Sequence, residues 1–457
     1  MPNGEFAFDA RLALARRAER SLDVQYYQIQ RDRVGLRFLR ELGDAARRGV
    51  RVRLLVDDLY TGGEDDLFRS MAALPNVQVR LFNPLPARGG SPVRRIFWSL
   101  HEFTRINHRM HNKLFLADTR FSVSGGRNMA DEYFMRSAAA NFIDLDVVAA
   151  GPVVREQAKV FDLYWNSAFV WPIESVVGQG GPADAARRFD ALVRDAAPDF
   201  TAAPLGPIGL PALGSELANG RATLVFAPAE VFADAPARVV RTNRDENVST
   251  VARSTLEAIN GARTQVLVAS PYFIPGPIGM AMLKEARAHG IRVAIFTNAL
   301  GATDEPLVHW RYARYRRELL RLGVELYELS PDLARDAGSF GDFGKSFGRL
   351  HAKVAVIDSR QVFIGSLNLD LRSAWSNTEA GLLIASPALA HEIEALIGRD
   401  RLASVYQLRL GADGESIEWV ETAADGTKHV LKEEPHDSWL HRLKMFLVSP
   451  FAPEDLL

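Results

Sequence analysis

Short apolar runs alternate with helical stretches in two separate blocks of the chain. The runs are rich in Val, Leu and Ile and lie within 21–29, 44–58 and 76–83, and again within 264–275, 284–298 and 323–330. Strands bounded by Gly and Asn and separated by helices are typical of sheets that are covered on both faces. We therefore predict an α/β fold with largely parallel sheets in both blocks.

The two blocks repeat one another at a nearly constant spacing. The offset is 242 residues between Val24 and Val266, 241 between Gly49 and Gly290, and 240 between His111 and His351. So steady an offset indicates an internal duplication, and its length is too great for a solenoid repeat. We expect two homologous α/β domains that face one another, with Gly49 and Gly290 ending equivalent helices.

Each block ends in a His-x-Lys triplet, at 111–113 and 351–353. The chain has 8 Lys against 47 Arg, and chance alone would give only about 0.2 such triplets. The match continues at the same offsets from both histidines with Asp118, Gly125, Gly126 and Asn128 in the first copy, and Asp358, Gly365, Ser366 and Asn368 in the second. A pattern repeated in this way indicates a shared chemical role.

The repeated residue types suit a phosphate group. Residues i and i+2 of a strand face the same side, so each histidine is expected to share a face with its lysine, and the asparagine to return on the next strand. Lysine supplies a point charge where the rest of the chain uses arginine. Two imidazoles on opposite sides of a phosphorus atom suit nucleophilic attack and protonation of the leaving oxygen. We expect neither a metal nor another cofactor, because each triplet carries one histidine and no carboxylate cluster at ligand spacing.

Composition excludes several classes of protein. The chain has no cysteines, which rules out disulfides and thiolate metal sites. Its net charge is −1, which argues against nucleic acid as a partner. No apolar run reaches the length of a membrane-spanning helix, and the first residues lack the apolar core of a signal peptide. If the protein contacts a membrane, we therefore expect it to bind at the membrane surface.

Four regions are predicted: 1–171, the first domain; 172–245, a linker or insert; 246–400, the second domain; and 401–457, a β meander with an amphipathic tail. The insert is rich in Gly, Pro and Ala, and it could hold a strand at 222–228 and serve as a lid over the site. Two Asp-Gly pairs after 401 predict hairpins.

The motifs HNKLFLAD…GGRN and HAKVAVID…GSLN resemble the two HxK(x)4D motifs of the phospholipase D superfamily. Flanking stretches such as RGVRVRLLVDD and GSLNLDLRS resemble its bacterial cardiolipin synthase C group. The resemblance runs from about residue 10 to the C-terminus. It implies two phospholipase D-like α-β-α sandwich domains packed together, with the active site at their interface.

The same resemblance implies roles for individual residues. His111 would form a phosphohistidine, and His351 would protonate the leaving alcohol and later deprotonate the acceptor. The phosphate would be held by Lys113, Lys353, Asn128 and Asn368. A carboxylate beyond each motif would orient a histidine, and the matching positions are Asp144, with Asp146 as a rival, and Glu379.

Three further expectations concern motif positions. Asp118 and Asp358 are expected to be structural, in salt bridges away from the phosphate. Gly126 and Ser366, expected beside the substrate, make the half-sites unequal because only Ser366 carries a hydroxyl group.

The resemblance implies a phosphatidyltransferase of the cardiolipin synthase type, which would join a phosphatidyl group from phosphatidylglycerol or phosphatidylethanolamine to phosphatidylglycerol. A phospholipase D hydrolase and, less favoured, a nuclease of the same superfamily are the alternatives. The expected partners are phospholipids at a bacterial inner membrane, bound peripherally. One chain supplies both half-sites, so a monomer is sufficient for catalysis. The sequence does not decide whether an accessory protein also takes part.

Two aromatic-rich basic stretches, 94–109 and 439–446, allow two interpretations. Each is either a helix packed on the core with a solvated basic face or an element that contacts the bilayer.

Overall fold

The structure is a computed structural model. It describes residues 1–88, 94, 97–99, 102–178, 182–194, 211–240, 248–331, 346–397, 405–423 and 425–449.

The first repeat follows the predicted order of strands and helices. Its strands are β1 Ser21–Tyr26, β2 Arg51–Asp57, β3 Val77–Phe82, β4 Leu114–Ala117, β5 Phe121–Gly125, β6 Ala140–Ile143, β7 Asp146–Ala150 and β8 Val170–Pro172. Its helices are Gly4–Arg17, Arg33–Arg47, Asp65–Ala72, Phe103–Ile106 and Pro152–Trp165. The insert follows with helices Ile173–Val177, Pro182–Val193 and Leu213–Ala218.

The second repeat has the same order. Strand β9 Ala229–Ala233 lies in the insert, and the strands that follow it are β10 Gln265–Ala269, β11 Arg292–Asn298, β12 Glu325–Leu329, β13 Phe347–Leu350, β14 Val354–Ile357, β15 Gln361–Gly365, β16 Ala380–Ala385, β17 Val405–Leu410, β18 Ile417–Thr422 and β19 Lys428–Leu431. The helices of the second repeat are Thr250–Asn260, Gly276–Ala288, Pro306–Tyr312, Arg316–Arg321, Leu371–Trp375, Pro387–Ile397 and Trp439–Val448.

Each repeat builds one large sheet, and the two sheets share a seven-strand order. The first sheet runs β7-β5-β4-β1-β2-β3-β8, and the second contains the matching series β16-β15-β14-β10-β11-β12-β17. Within these two sheets, as far as the structure describes them, only the runs β1-β2-β3 and β10-β11-β12 are parallel. The expectation of largely parallel sheets is therefore wrong. The three-residue turns 118–120 and 358–360 can join only antiparallel neighbours.

Glycines mark the predicted helix ends and hairpins. Gly49 and Gly290 have φ of 99° and 76° just after equivalent helices, as a C′ glycine requires. Gly414 and Gly426 have φ of 68° and 84° in the two Asp-Gly turns. The predicted meander is β17-β18-β19, and it extends the second sheet.

The described part of the insert contacts both domains. Phe189 and Leu213 are buried in the core of the first domain. The strand expected at 222–228 lies instead at Ala229–Ala233, where β9 pairs with the edge strand β16. Residues 179–181, 195–210 and 241–247 of the insert lie outside the described residues, so the lid stays a prediction.

The two repeats are interlocked by backbone pairing. Strand β6 of the first repeat pairs in parallel with β13 of the second, with Ile143 opposite Leu350. An equivalent bridge joins Met110 to Thr378. Since each pairing lies immediately before a motif histidine, both histidines are placed at the domain interface.

The stretch 94–109 is described only in part. Phe97 and Trp98 are exposed, whereas Ile106 and Arg109 are buried. The side chain of Phe103 lies outside the described residues.

Candidate active site

The two His-x-Lys triplets lie immediately before β4 and β14. The interpretation that placed them within strands is therefore wrong. The amide of His111 donates to the carbonyl oxygen of Thr378 at 2.9 Å, and that of His351 donates to Ile143 at 2.7 Å. Because these partners belong to the opposite repeat, the backbone leaves its own sheet at each histidine.

The carboxylate that contacts each imidazole comes from the other repeat. His111 Nδ1 lies 3.0 Å from Glu379 Oε2 and 3.1 Å from the carbonyl oxygen of Ser366. His351 Nδ1 lies 2.7 Å from Asp144 Oδ2. For His111, a protonated Nδ1 that donates to the carboxylate leaves Nε2 free to attack. Both predicted orienting carboxylates are thus in contact with an imidazole, in a crossed arrangement.

Burial and nearby lysines lower the pKa of both imidazoles. Burial, and then the charges of Lys113 and Lys353, lower the pKa of His111 well below its usual value. The charges of His351 and Arg372 add smaller contributions in the same direction to the pKa of His111. Burial and then Lys353 lower the pKa of His351 to about 4, although Asp144 opposes this shift.

The two motif lysines are buried beside the histidines. Lys113 Nζ donates to the carbonyl oxygen of His111 at 2.6 Å, and Lys353 Nζ donates to that of His351 at 2.5 Å. Burial lowers the pKa of Lys113 well below its usual value and that of Lys353 to about 8. A bound anion would favour both charged forms, so the lysines suit a phosphate diester.

The motif asparagines lie past the ends of β5 and β15, in the following loops. The expectation that they sit on the next strand is therefore wrong. Asn128 Nδ2 donates to the hydroxyl of Tyr133 at 3.0 Å, and the Tyr133 ring is 5.1 Å from that of His351. The Oδ1 atoms of Asn128 and Asn368 are buried without a hydrogen-bond partner.

The two half-sites differ in their carboxylates. Burial favours the protonated form of Asp144, but contact with His351 and then Lys353 outweighs burial, so the pKa of Asp144 is below its usual value. Burial raises the pKa of Glu379 to about 7, although Lys113 opposes the shift. At neutral pH, Asp144 is therefore the more fully ionised partner.

Gly126 and Ser366 contribute to this difference. The Ser366 hydroxyl donates to Glu379 Oε2 at 2.5 Å. A Cβ atom at Gly126 would lie 2.3 Å from Asp144 Oδ1, which is too close for any side chain. Asp144 thus occupies the space next to Gly126, and the Ser366 hydroxyl contacts Glu379, the carboxylate that orients His111.

The other motif carboxylates are structural. Asp146, the rival of Asp144, is buried and forms ion pairs with Arg11 at 2.9 Å and Arg127 at 3.4 Å. Asp118 accepts backbone amide hydrogen bonds from residues 19–21, and Asp358 accepts them from residues 263–265. Their partners are backbone amides and, for Asp358, also the Thr264 hydroxyl. The expected salt bridges are therefore wrong, although these contacts agree with a structural role.

One supporting carboxylate was missed by sequence reasoning. Asp234 Oδ2 accepts from the amide of Glu379 at 2.9 Å and from the Ser249 hydroxyl at 2.8 Å. Its own amide donates to the carbonyl oxygen of Glu379 at 3.0 Å. Because Asp234 lies in the insert, where the motif resemblance is weakest, no repeated pattern marks it.

Within the described residues, no group of three or more His, Asp or Glu side chains could hold a metal ion. In the same part of the chain, no helix is both long and apolar enough to cross a membrane.

Comparison with known proteins gives consistent results. Cardiolipin synthase C of Escherichia coli K12 is 38% identical over 99% of this chain and 94% of that protein. Cardiolipin synthase A of Pseudomonas fluorescens Pf-5 is 27% identical over 87% of this chain and 67% of that protein. The crystal structure of a phosphatidylserine synthase from Haemophilus influenzae Rd KW20 matches 100% of this chain and 94% of that one, with a TM-score of 0.63 and 13% identity. This last likeness shows the fold.

The family model described as "Cardiolipin synthase, PLD-like domain" matches residues 12–165 and 255–401. The two matches cover one repeat each, and each contains one of the crossed histidines. The chain therefore belongs to the family of cardiolipin synthases with paired phospholipase D-like domains.

Proposed function

We propose that the protein is a phosphatidyltransferase of the cardiolipin synthase type. The observation that carries this proposal is the crossed pairing of His111 with Glu379 and of His351 with Asp144. Such an arrangement directs one nucleophilic and one proton-transferring imidazole into a single anion site. A relative named cardiolipin synthase C, 38% identical over 99% of this chain, supports the substrate class.

In the first step, His111 Nε2 attacks the phosphorus atom of a phosphatidyl donor. The N–P bond forms while the bond from phosphorus to the headgroup oxygen breaks. His351 gives its proton to that oxygen, so the headgroup leaves as a neutral alcohol. The phosphodiester anion and Asp144 together favour the imidazolium of His351 that this step requires.

In the second step, the hydroxyl group of phosphatidylglycerol attacks the phosphohistidine. His351, now neutral, accepts the hydroxyl proton, the N–P bond breaks, and His111 is regenerated. One phosphodiester is exchanged for another, so the reaction needs no nucleotide. The product is cardiolipin, and the released headgroup is glycerol or ethanolamine, according to the donor.

The cations and amides of the motif would stabilise the transition state. Lys113 and Lys353 lie beside the two histidines, where they can hold the non-bridging oxygens. Because both are buried, their attraction for developing charge is stronger than in water. Asn128 and Asn368 would donate from their Nδ2 groups, since the buried Oδ1 atoms without a partner are acceptors.

The inequality of the two carboxylates supports the assignment of roles. A general acid must become an imidazolium, and an ionised partner stabilises that cation. Asp144, whose pKa is below its usual value, contacts His351. Glu379, whose pKa is raised to about 7, contacts His111, which attacks as a neutral imidazole.

The relatives supporting this function are bacterial and are named cardiolipin synthases. We therefore place the protein at the surface of a bacterial inner membrane, bound peripherally and active as a single chain.

The direct test is to incubate the protein with phosphatidylglycerol vesicles, with and without phosphatidylethanolamine, and to identify the lipids by mass spectrometry. Cardiolipin is the expected product, and His111→Ala and His351→Ala are each expected to reduce its formation by more than about 10³-fold. Phosphatidic acid alone would identify a hydrolase, and cleaved DNA without lipid turnover would identify a nuclease. Either result, or appreciable activity in either variant, would contradict the proposal.

A further inference from the structure

The helix Trp439–Val448 exposes an apolar face. It begins at the cap Ser438, whose hydroxyl accepts the amide hydrogen of His441 at 3.2 Å. Trp439 and Phe446 are 68% and 69% exposed. The exposed apolar side chains of this face are Trp439, Leu440, Leu443, Phe446 and Leu447. An exposed apolar patch of this kind is unfavourable in water unless another surface covers it.

The positions of these residues form a single stripe. At 3.6 residues per turn, the five apolar positions span an arc of about 120°. Arg442 borders the arc on one side and Lys444 on the other, and both are exposed. Met445 is buried on the opposite side of the helix. The arrangement is therefore an anchored helix whose outer face is apolar with cationic borders.

The helix is fixed to the second domain near the catalytic edge. Arg311 donates to the carbonyl oxygen of Ser449 at 2.8 Å, which ties the end of the helix to the helix Pro306–Tyr312. That helix begins two residues after Asp304, which accepts a hydrogen bond from Tyr272 at 2.8 Å. Strand β10 ends at Ala269, which pairs with Val354 just after the second triplet, so Tyr272 lies at the sheet edge that carries His351. The apolar face thus belongs to the end of the domain that carries the second half-site.

We propose that Trp439–Val448 docks the protein on an anionic phospholipid surface, with the apolar stripe in the acyl-chain boundary and the bordering cations among the lipid phosphates. The inference rests on the proposed function only in that the substrates lie in the same bilayer. Docking through this helix would hold the catalytic edge at the level of the headgroups, so that a lipid need only partly leave the bilayer to reach the histidines.

Charge favours a bilayer over a second copy of the chain as the occupant. The helix has no acidic residue, and its ionisable side chains are His441, Arg442 and Lys444. Arg442 pairs with Asp437 at 3.0 Å, yet the Arg442 side chain is still 61% exposed. Lysine is depleted at protein interfaces, whereas a cationic border round an apolar stripe is typical of helices that lie in the headgroup layer.

Vesicle sedimentation tests this docking without relying on catalysis. The double variant Leu443→Glu with Phe446→Glu is expected to lower the partition coefficient onto vesicles of equal parts phosphatidylglycerol and phosphatidylcholine by at least about tenfold. Leu163→Glu is the matched control, because Leu163 is an exposed helical leucine of the first domain, 54% exposed against 47% for Leu443. This control should bind as the unchanged protein does.

A second pair of substitutions tests the cationic border. Arg442→Gln and Lys444→Gln should each weaken binding to the phosphatidylglycerol vesicles by about fivefold. Neither should alter binding to vesicles of phosphatidylcholine alone, since those carry no net charge. Equal losses on both kinds of vesicle would overturn the electrostatic part of the proposal.

Turnover of a short-chain, monomeric phosphatidylglycerol separates docking from chemistry. The double variant should retain the rate of the unchanged protein on this substrate, because the histidines do not depend on the stripe. Unchanged vesicle binding by the double variant would overturn the proposal. So would a dimer that the substitutions convert to a monomer in sedimentation velocity, since the stripe would then be an interface between copies. If the unchanged protein binds vesicles but turns over no lipid, only the proposed function fails.

Discussion

At the scale of single residues, the chemistry depends on contacts that cross between the repeats. Asp144 belongs to the first repeat and contacts His351 of the second, and Glu379 of the second contacts His111 of the first. A substitution in one domain should therefore impair the histidine of the other. This crossing makes the roles of the two carboxylates experimentally separable.

Asp144→Asn and Glu379→Gln should each slow cardiolipin formation by about 10² to 10⁴-fold, because an amide cannot stabilise the imidazolium or hold the same tautomer. They should differ on a phosphatidyl ester of p-nitrophenol, whose leaving group needs no acid. Asp144→Asn should keep a rapid burst of nitrophenolate in stopped-flow measurements, and Glu379→Gln should lose it. The opposite pattern, or equal bursts, would contradict the assignment of acid and nucleophile.

The sequence alone predicted the candidate site residues but not how they meet. The repeated offsets identified His111, Lys113, Asn128 and their partners, because spacing within a repeat is visible in the chain. The crossed pairing is a tertiary contact between residues more than 200 positions apart. No local pattern encodes it. Asp234 was missed for a related reason, since it acts through Glu379 and has no repeat counterpart.

At the scale of elements, two short turns hold the motif strands in place. Asp118 and Asp358 have φ of 54° and 53° in the turns after β4 and β14. Asp118 accepts the amides of Glu19, Arg20 and Ser21 at 2.8–3.0 Å, which fixes the start of β1 to the end of β4. The motif aspartate therefore positions the strand that follows the triplet.

Asp118→Ala should lower the free energy of unfolding by about 1–3 kcal/mol, because it removes an acceptor for three amides and places alanine in a left-handed conformation. Asp118→Asn, which keeps an acceptor oxygen and tolerates that conformation, should cost less. Thermal unfolding followed by circular dichroism measures both. Equal melting temperatures for Asp118→Ala and the unchanged protein would contradict the structural role.

Periodicity predicted the strands and helices better than their pairing. The apolar runs located β1 to β3 and β10 to β12 because buried strands need continuous apolar sequence. The direction of the outer strands depends on turn length, and the place of β9 depends on the free edge of β16. The strand directions and the position of β9 both depend on neighbours in space, so the predictions made for them from the sequence are wrong.

At the scale of the whole molecule, the chain folds both half-sites against one another. The β6–β13 pairing and the Met110–Thr378 bridge tie the repeats together at two symmetrical points. A catalytic pair built within one chain needs no second copy. The duplicated sequence indicates the same arrangement.

Mixing the His111→Ala and His351→Ala proteins tests whether the chain acts alone. If each site is built from one chain, the mixture should form no more cardiolipin than either variant. A dimer whose sites were shared between chains would regain up to about a quarter of the activity through mixed pairs. Lipid mass spectrometry after co-refolding of the two variants gives the answer, and recovery of activity would contradict the single-chain site.

The most direct test of the two-histidine site is a search for the covalent intermediate. His351→Ala, given the p-nitrophenyl phosphatidyl ester, can complete the first step without an acid but lacks the base for the second. Intact-protein mass spectrometry should therefore find a phosphatidyl adduct, mapped by peptide analysis to His111, and His111→Ala should carry none. An adduct on another residue, or one that persists in His111→Ala, would contradict the account.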